Sequence, residues 1–207
     1  MRTLRPLLAL LGLALAACHD RTPPAPRARP TPAEAPAPRT FTETTLGLTL
    51  PVPTGMTLRR DFQRSYLDAG AWQTFAGKNS QGRPLAALVM DGSNKITAGE
   101  LRVSESDAAE ALAHCEDIPA SAAPDSTSIE KLDGAAFQHF RAGDAAMSHY
   151  LKVDGYRAVR AGHCVAIDLL VYGTRPGVYE PPATAPFTED QAWSALHAAL
   201  GGLHWRH

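Results

Sequence analysis

The sequence lacks the short signatures that announce a reaction. It has no H-E-x-x-H, no G-x-S-x-G, no phosphate-binding G-x-x-x-x-G-K and no dinucleotide fingerprint. It has no run of like charges that would mark an interaction tail. Its longest apolar run, Leu7–Ala17, has eleven residues, and a membrane-spanning helix needs about 20. Cysteine is scarce: Cys18, Cys115 and Cys164 are the only three, with no C-x-x-C spacing among them. That spacing argues against a redox-active pair. The 207 residues suit one domain with attachments.

What is present begins with address. Arg2 and Arg5 precede the apolar run, and this combination reads as an export signal. Ala14-Leu15-Ala16 fits ordinary cleavage after small residues. Leu15-Ala16-Ala17-Cys18 resembles the bacterial lipobox. That resemblance implies removal of residues 1–17 as a lipoprotein signal peptide and acylation of Cys18, a palmitate-type modification. Two or more acyl chains anchor a protein stably where one does not. His19, not Asp, follows the cysteine. By analogy with lipoprotein sorting, this implies the periplasmic face of the outer membrane, with the bilayer as a partner through the Cys18 acyl chains.

Residues 18–40 carry prolines at 23, 24, 26, 30, 32, 36 and 38. Proline lacks the amide donor of regular structure. The segment therefore reads as a semi-rigid tether, on the order of 70 Å at full reach. Four arginines against Asp20 and Glu34 make it mildly basic. Residues 41–207 carry 14 basic and 19 acidic residues, a poor footprint for nucleic acid, and no nucleic-acid partner is expected. If Cys18 is acylated, Cys115 and Cys164 are left to pair in an oxidising compartment; two unrelated buried thiols are the alternative.

Within 41–207, a single globular domain, alternation predicts a strand over Leu46–Val52, ended by Pro51 and Pro53. Strands are also expected over Arg64–Phe75, with Trp72, and over Leu85–Met90. The turn cluster Asp91-Gly92-Ser93-Asn94 then allows a hairpin return through Thr97–Val103. Ala108, Ala111, Leu112 and Cys115 recur at helical spacing, predicting a helix over Ser104–Asp117 with Ser104 or Ser106 at its start. Ala120–Ser128 reads as a loop. Strands follow with Phe137 and Phe140, with Met147–Val153 and with Tyr156–Arg160, the last two broken at Asp154-Gly155. His163–Gly173 is the most apolar and is placed centrally. Thr188 and Gln191 predict a capping box opening a final helix, with Gly201-Gly202 as a left-handed stop and Leu203 and Trp205 returning to the core.

The entry "LGLTLPVPTGM", the strand beginning at His163 and the ending "GGLHW" look like small bacterial lipoproteins with a PsbP-like α/β/α sandwich. The resemblance implies an α+β domain, a curved antiparallel sheet flanked by helices. It also implies a non-catalytic module that binds or supports other periplasmic proteins, with no cofactor.

The eight histidines contain no i, i+4 pair. A hairpin would bring His139 opposite His149, with His163 near them. Zinc needs three or four ligands in one place, so the set reads as surface histidines and no metal is expected. Asp91, Ser93 and Asn94 lack the further ligands of a calcium loop. His163 and Cys164 point to opposite faces of a strand and make no nucleophile pair. The loop after Gly173 is the candidate protein-binding element, through Tyr172, Arg175, Tyr179 and Glu180; Arg and Tyr are favoured interface anchors. The competing reading of the loop is a lid over a sheet edge. For the whole chain, the alternative to a binding or envelope-support module is an inhibitor or immunity protein against a secreted cell-wall hydrolase.

Overall fold

Ten strands and two α-helices make up the described part of the chain, in which every strand pairing is antiparallel. The coordinates are a computed structural model that describes residues 39–60, 62 and 81–206. These residues belong to one unit, Ala37–His207. The signal segment, Cys18, the proline tract up to residue 38, the strand expected over Arg64–Phe75 and His207 lie outside the described residues.

Strands β1 (Thr40–Glu43), β2 (Leu48–Pro51) and β10 (His204–Trp205) form a small sheet with β2 in the middle. The large sheet runs β3 (Met56–Arg59), β4 (Arg83–Met90), β5 (Ala98–Ser106), β9 (His163–Thr174), β8 (His149–Arg160), β7 (Ala135–Ala146), β6 (Ser128–Leu132). The strand from His163 is therefore fourth of seven, in keeping with a largely apolar sequence whose one acidic residue is Asp168: a strand covered on both faces needs no polar alternation.

The two faces of that sheet differ. On one, Leu101, Val103, Val165, Ile167, Leu169, Val171 and Phe137 pack with α2 (Glu189–Gly201) through Ala192, Leu196, Ala199 and Leu200. Phe41, Leu48, Leu50, Leu203 and Trp205 of the small-sheet region complete this core. On the other face lie a smaller apolar group, with Phe140, Leu151, Val153 and Leu170, and the pair Cys115 and Cys164. A disulfide joins Cys115 to Cys164. It fixes α1 (Ala109–Ala113) beside the start of β9.

The fold departs from the expected helix-flanked α+β sandwich and is β-rich. One α-helix of 13 residues covers one face, and α1 has five. The helix predicted over Ser104–Asp117 is short because β5 continues to Ser106, paired along its length with β9. Ladder bonds to the central strand thus override helical spacing of small residues. Ser106 Oγ still accepts from the Ala108 amide at 3.2 Å.

Three local expectations are also resolved. The Thr188–Gln191 capping box is present, with reciprocal bonds of 2.8 and 3.2 Å. The stop after α2 is not left-handed: Gly202 has φ −85° and stays right-handed, its amide donating to Ala199 and Leu200. Asp154-Gly155 does not break β8. Gly155 lies opposite Phe140, and a Cβ there would come within 2.4 Å of the ring. The glycine makes room for an aromatic and marks no turn.

Candidate functional site

The turn joining β7 to β8 is built from Met147 and Ser148, both with positive φ, 47° and 73°. Two-residue hairpins favour this mirror-image turn because it matches strand twist, and they normally use Asn and Gly there. Met is poorly suited to the left-handed region. Its side chain is also 93% exposed. A large apolar side chain held in water on a strained tip is an unusual choice for stability alone.

The loop after β9 lies against this tip. The Arg175 amide donates to Ser148 O at 2.9 Å, and the Thr174 amide donates to Lys95 O at 2.9 Å. Thr174 Oγ1 lies 2.9 Å from His149 Nδ1. Pro176–Val178 forms one 3-10 turn, in which Val178 is exposed. Lys95 Nζ sits 4.3 Å over the Tyr179 ring. Glu180 is exposed and precedes a cis proline, Pro181. At this end of the large sheet Arg175 thus meets the turn that carries Met147, and Val178, Tyr179 and Glu180 follow in the same loop.

Of the four predicted binding residues, Arg175, Tyr179 and Glu180 belong to this end. Tyr172 does not join them. It is half-buried on the far face of the sheet, where its hydroxyl donates to Glu100 Oε1. Glu100 in turn accepts from Arg102 Nε at 2.8 Å. The period of two explains this: Tyr172 shares its face with Leu170 and Asp168. Met147 and Val178 were missed because no periodic pattern flags a turn residue. Their signal was a bulky apolar residue at a loop tip.

The histidines are distributed differently from the hairpin expectation. His139 is opposite Tyr156 and His149 is opposite Ala146. His163 contacts Glu105, as does Arg83. His139 instead meets His197 of α2 across Asp154. His197 Nε2 lies 3.0 Å from Asp154 Oδ2, and its Nδ1 2.9 Å from Trp193 O. His139 Nε2 lies 3.9 Å from Asp154 Oδ1, and its Nδ1 3.1 Å from Ser128 Oγ and 3.2 Å from Glu130 Oε1. The Tyr156 hydroxyl beside them is pushed above its usual pKa by burial, and further by Glu130 and Asp154. These groups line an open cleft of about 370 Å³. Its chemistry is that of a polar seam holding α2 to β8. Among the described residues no group of three or more His, Cys, Asp or Glu is arranged to hold a metal ion. His163 and Cys164 face opposite ways, His163 to Glu105 and Cys164 into the disulfide. Asp91 accepts from Thr57 Oγ1 at 2.8 Å, and Asn94 Oδ1 accepts from the amides of Ile96 and Thr97. Both oxygens are thus engaged, Asp91 with β3 and Asn94 within the turn.

No family model matches the chain, and no curated protein matches it.

Proposed function

We propose that the chain is an exported lipoprotein, anchored through Cys18 at the periplasmic face of the outer membrane. Its β-rich domain binds a partner protein there without catalysing a reaction. The observation that carries the binding reading is Met147, a fully projecting apolar side chain on a positive-φ tip beside Arg175, Val178 and Tyr179. Apolar groups clustered in water mark contact surfaces, and backbone strain is tolerated where a site needs it. The Cys115–Cys164 disulfide supports export, because such bonds persist in oxidising compartments. It also leaves Cys18 as the one thiol outside the pair, in the Leu-Ala-Ala-Cys context of a lipobox.

Two measurements test the reading. Mass spectrometry of the membrane fraction is expected to find acyl chains on Cys18; a water-soluble mature chain that retains Ala17 counts against the anchor. Cross-linking in the envelope from a photoreactive residue at position 147 is expected to trap one defined protein. The same probe at Ile129, exposed on the edge strand β6 and paired with Gln138 far along β7 from the tip, should not. Equal cross-linking from both positions would remove the case for this surface.

A further inference from the structure

Arg160 ends β8, just before the turn at Ala161 and Gly162. Its guanidinium carbon lies 4.4 Å from the centroid of the Trp205 ring. Trp205 is itself fixed. It stacks on Phe137 at 5.8 Å, and its Nε1 donates to Leu132 O at 3.1 Å. The guanidinium is therefore held over a rigid indole. Stacking uses the face of the group and leaves its N–H donors pointing outward in its plane. One of them, Nε, is buried and has no acceptor. A buried charged donor without a partner is costly, so the position calls for an explanation.

A second arginine shares the place. The Arg206 amide donates to Gly47 O at 2.6 Å, which brings the end of the described chain against the β1–β2 turn. Gly47 has φ +65°, and a Cβ there would stand 3.1 Å from Arg206 O. Glycine at that position permits the close approach. The result is an open cleft of about 370 Å³ lined by Thr44, Thr45, Gly47, Arg160 and Arg206 among others. Among the described residues that line it there is no carboxylate. Of the acidic groups close by, Glu43 accepts from the Thr45 amide at 3.3 Å and Asp133 accepts from the Trp205 amide at 2.8 Å, and neither lines the cleft.

We propose that this cleft binds a phosphate-type oxyanion. The residues that line it, Thr44, Thr45, Arg160 and Arg206, carry two guanidiniums and two hydroxyls, all of them able to donate. A tetrahedral phosphate has oxygens enough to meet them, whereas a planar carboxylate satisfies one guanidinium fork. The source of the phosphate is a lipid headgroup or a soluble phosphate compound, and the chemistry of recognition is the same for both. The proposal does not depend on the protein-binding surface at Met147, which lies at the other end of β8.

The test uses the full chain carrying Cys18→Ser, so that no acyl chain contributes. Calorimetric titration with inorganic phosphate is expected to show saturable binding. Arg206→Gln should weaken it about tenfold or more, the effect of losing one charge-assisted fork. Arg160→Gln should do the same, while Arg160→Lys, which keeps the charge, should weaken it less. Arg206 is exposed, so its variant folds even if Arg160→Gln loosens Trp205. A second arm uses vesicles of phosphatidylglycerol or phosphatidylcholine. Co-sedimentation with the former that Arg206→Gln abolishes assigns the phosphate to a lipid headgroup. Indifference to both vesicles, with phosphate binding retained, assigns it to a soluble compound. Absence of saturable phosphate binding, or equal affinity in Arg206→Gln, overturns the proposal.

Discussion

Arg157 on β8 and Asp168 on β9 meet diagonally across the middle of the large sheet, Nη1 to Oδ1 at 2.8 Å, with both side chains almost wholly out of water. Arg157 also donates to Tyr156 O and Ile167 O, and its guanidinium lies 5.2 Å from the centroid of the Phe140 ring. Breaking such a pair from one side strands a buried charge, at a cost of about 3–5 kcal/mol. Arg157→Met should therefore lower the free energy of urea unfolding by that much. Arg157→Met combined with Asp168→Leu should recover most of it. A double variant as unstable as the single one would show that the backbone bonds of Arg157, and not its charge, hold the sheet together.

Asp168 also sets a direction for pH. Burial pushes its carboxyl above the usual value, outweighing the opposing pull of Arg157 and Arg102. A folded state that holds the proton more tightly than the unfolded state loses relative stability as pH rises through the interval between the two values. The stability of the protein relative to Asp168→Asn should thus fall as pH climbs from about 4, near the unfolded carboxylate value, and level off above the folded one. Urea midpoints measured across that range check the sign. A difference that grows with rising pH would mean that the arginines dominate.

Glu189 works the opposite way. Burial disfavours its charge, but hydrogen bonds from Lys152 and Trp193 and the charge of Lys152 hold its carboxyl below the usual value. Lys152 Nζ lies 2.5 and 2.7 Å from its two oxygens, tying the first turn of α2 to β8. The group's contribution is present above the unfolded value and is lost as pH falls through the folded one. Both side chains are more than a third exposed, so the pair is worth about 1 kcal/mol or less. Lys152→Met should cost no more than that at neutral pH, and the cost should shrink in high salt and vanish in acid.

How far the sequence spoke for the fold is visible at Gly155. The dipeptide Asp154-Gly155 carries turn chemistry, and local reasoning placed a break there. The decisive fact is non-local: Phe140, fifteen positions earlier, occupies the space a side chain would fill. The same holds for Ser104–Ser106, where pairing with the central strand overrode helical spacing and cut the expected helix to the five residues of α1. Elements that declared themselves were those whose signal is local, such as the Thr188–Gln191 cap, or dense, such as the mostly apolar strand from His163. Site residues divide the same way. Arg175 and Tyr179 were legible as members of one long loop, while nothing in the sequence signals that Tyr172, on β9, turns its hydroxyl to Glu100. The meeting of His139, Asp154 and His197 depends on how α2 docks, which no spacing encodes. Gly155→Ala tests the steric account directly. It should destabilise by about 1–3 kcal/mol, the range for overpacking, and Phe140→Leu in the same chain should relieve part of the loss despite removing core volume. Additive losses would refute the contact as the cause.

The disulfide closes a loop with a sequence separation of 49. In the chain-entropy account a bridge of that span stabilises by about 4 kcal/mol. Cys115→Ser with Cys164→Ser should lower stability by roughly this amount and loosen α1, which has few other attachments and no buried residue of its own. Hydrogen exchange should then rise first over residues 107–117. Uniform loosening of the whole sheet would instead place the bridge in the main core.

The β7–β8 turn sets stability against binding in one experiment. Met147 and Ser148 both adopt positive φ, a conformation for which Asn and Gly are the preferred pair. Met147→Asn with Ser148→Gly should therefore stabilise the hairpin by about 0.5–1 kcal/mol, seen as a higher melting temperature. The same change removes the exposed apolar side chain. If the tip is the contact surface, the more stable variant should lose its partner. Met147→Leu, which keeps an apolar side chain of similar size in the same strained turn, should retain it. A stabilised variant that still binds would leave the strain at Met147 without a functional reason and move the contact to Arg175, Val178 and Tyr179 alone.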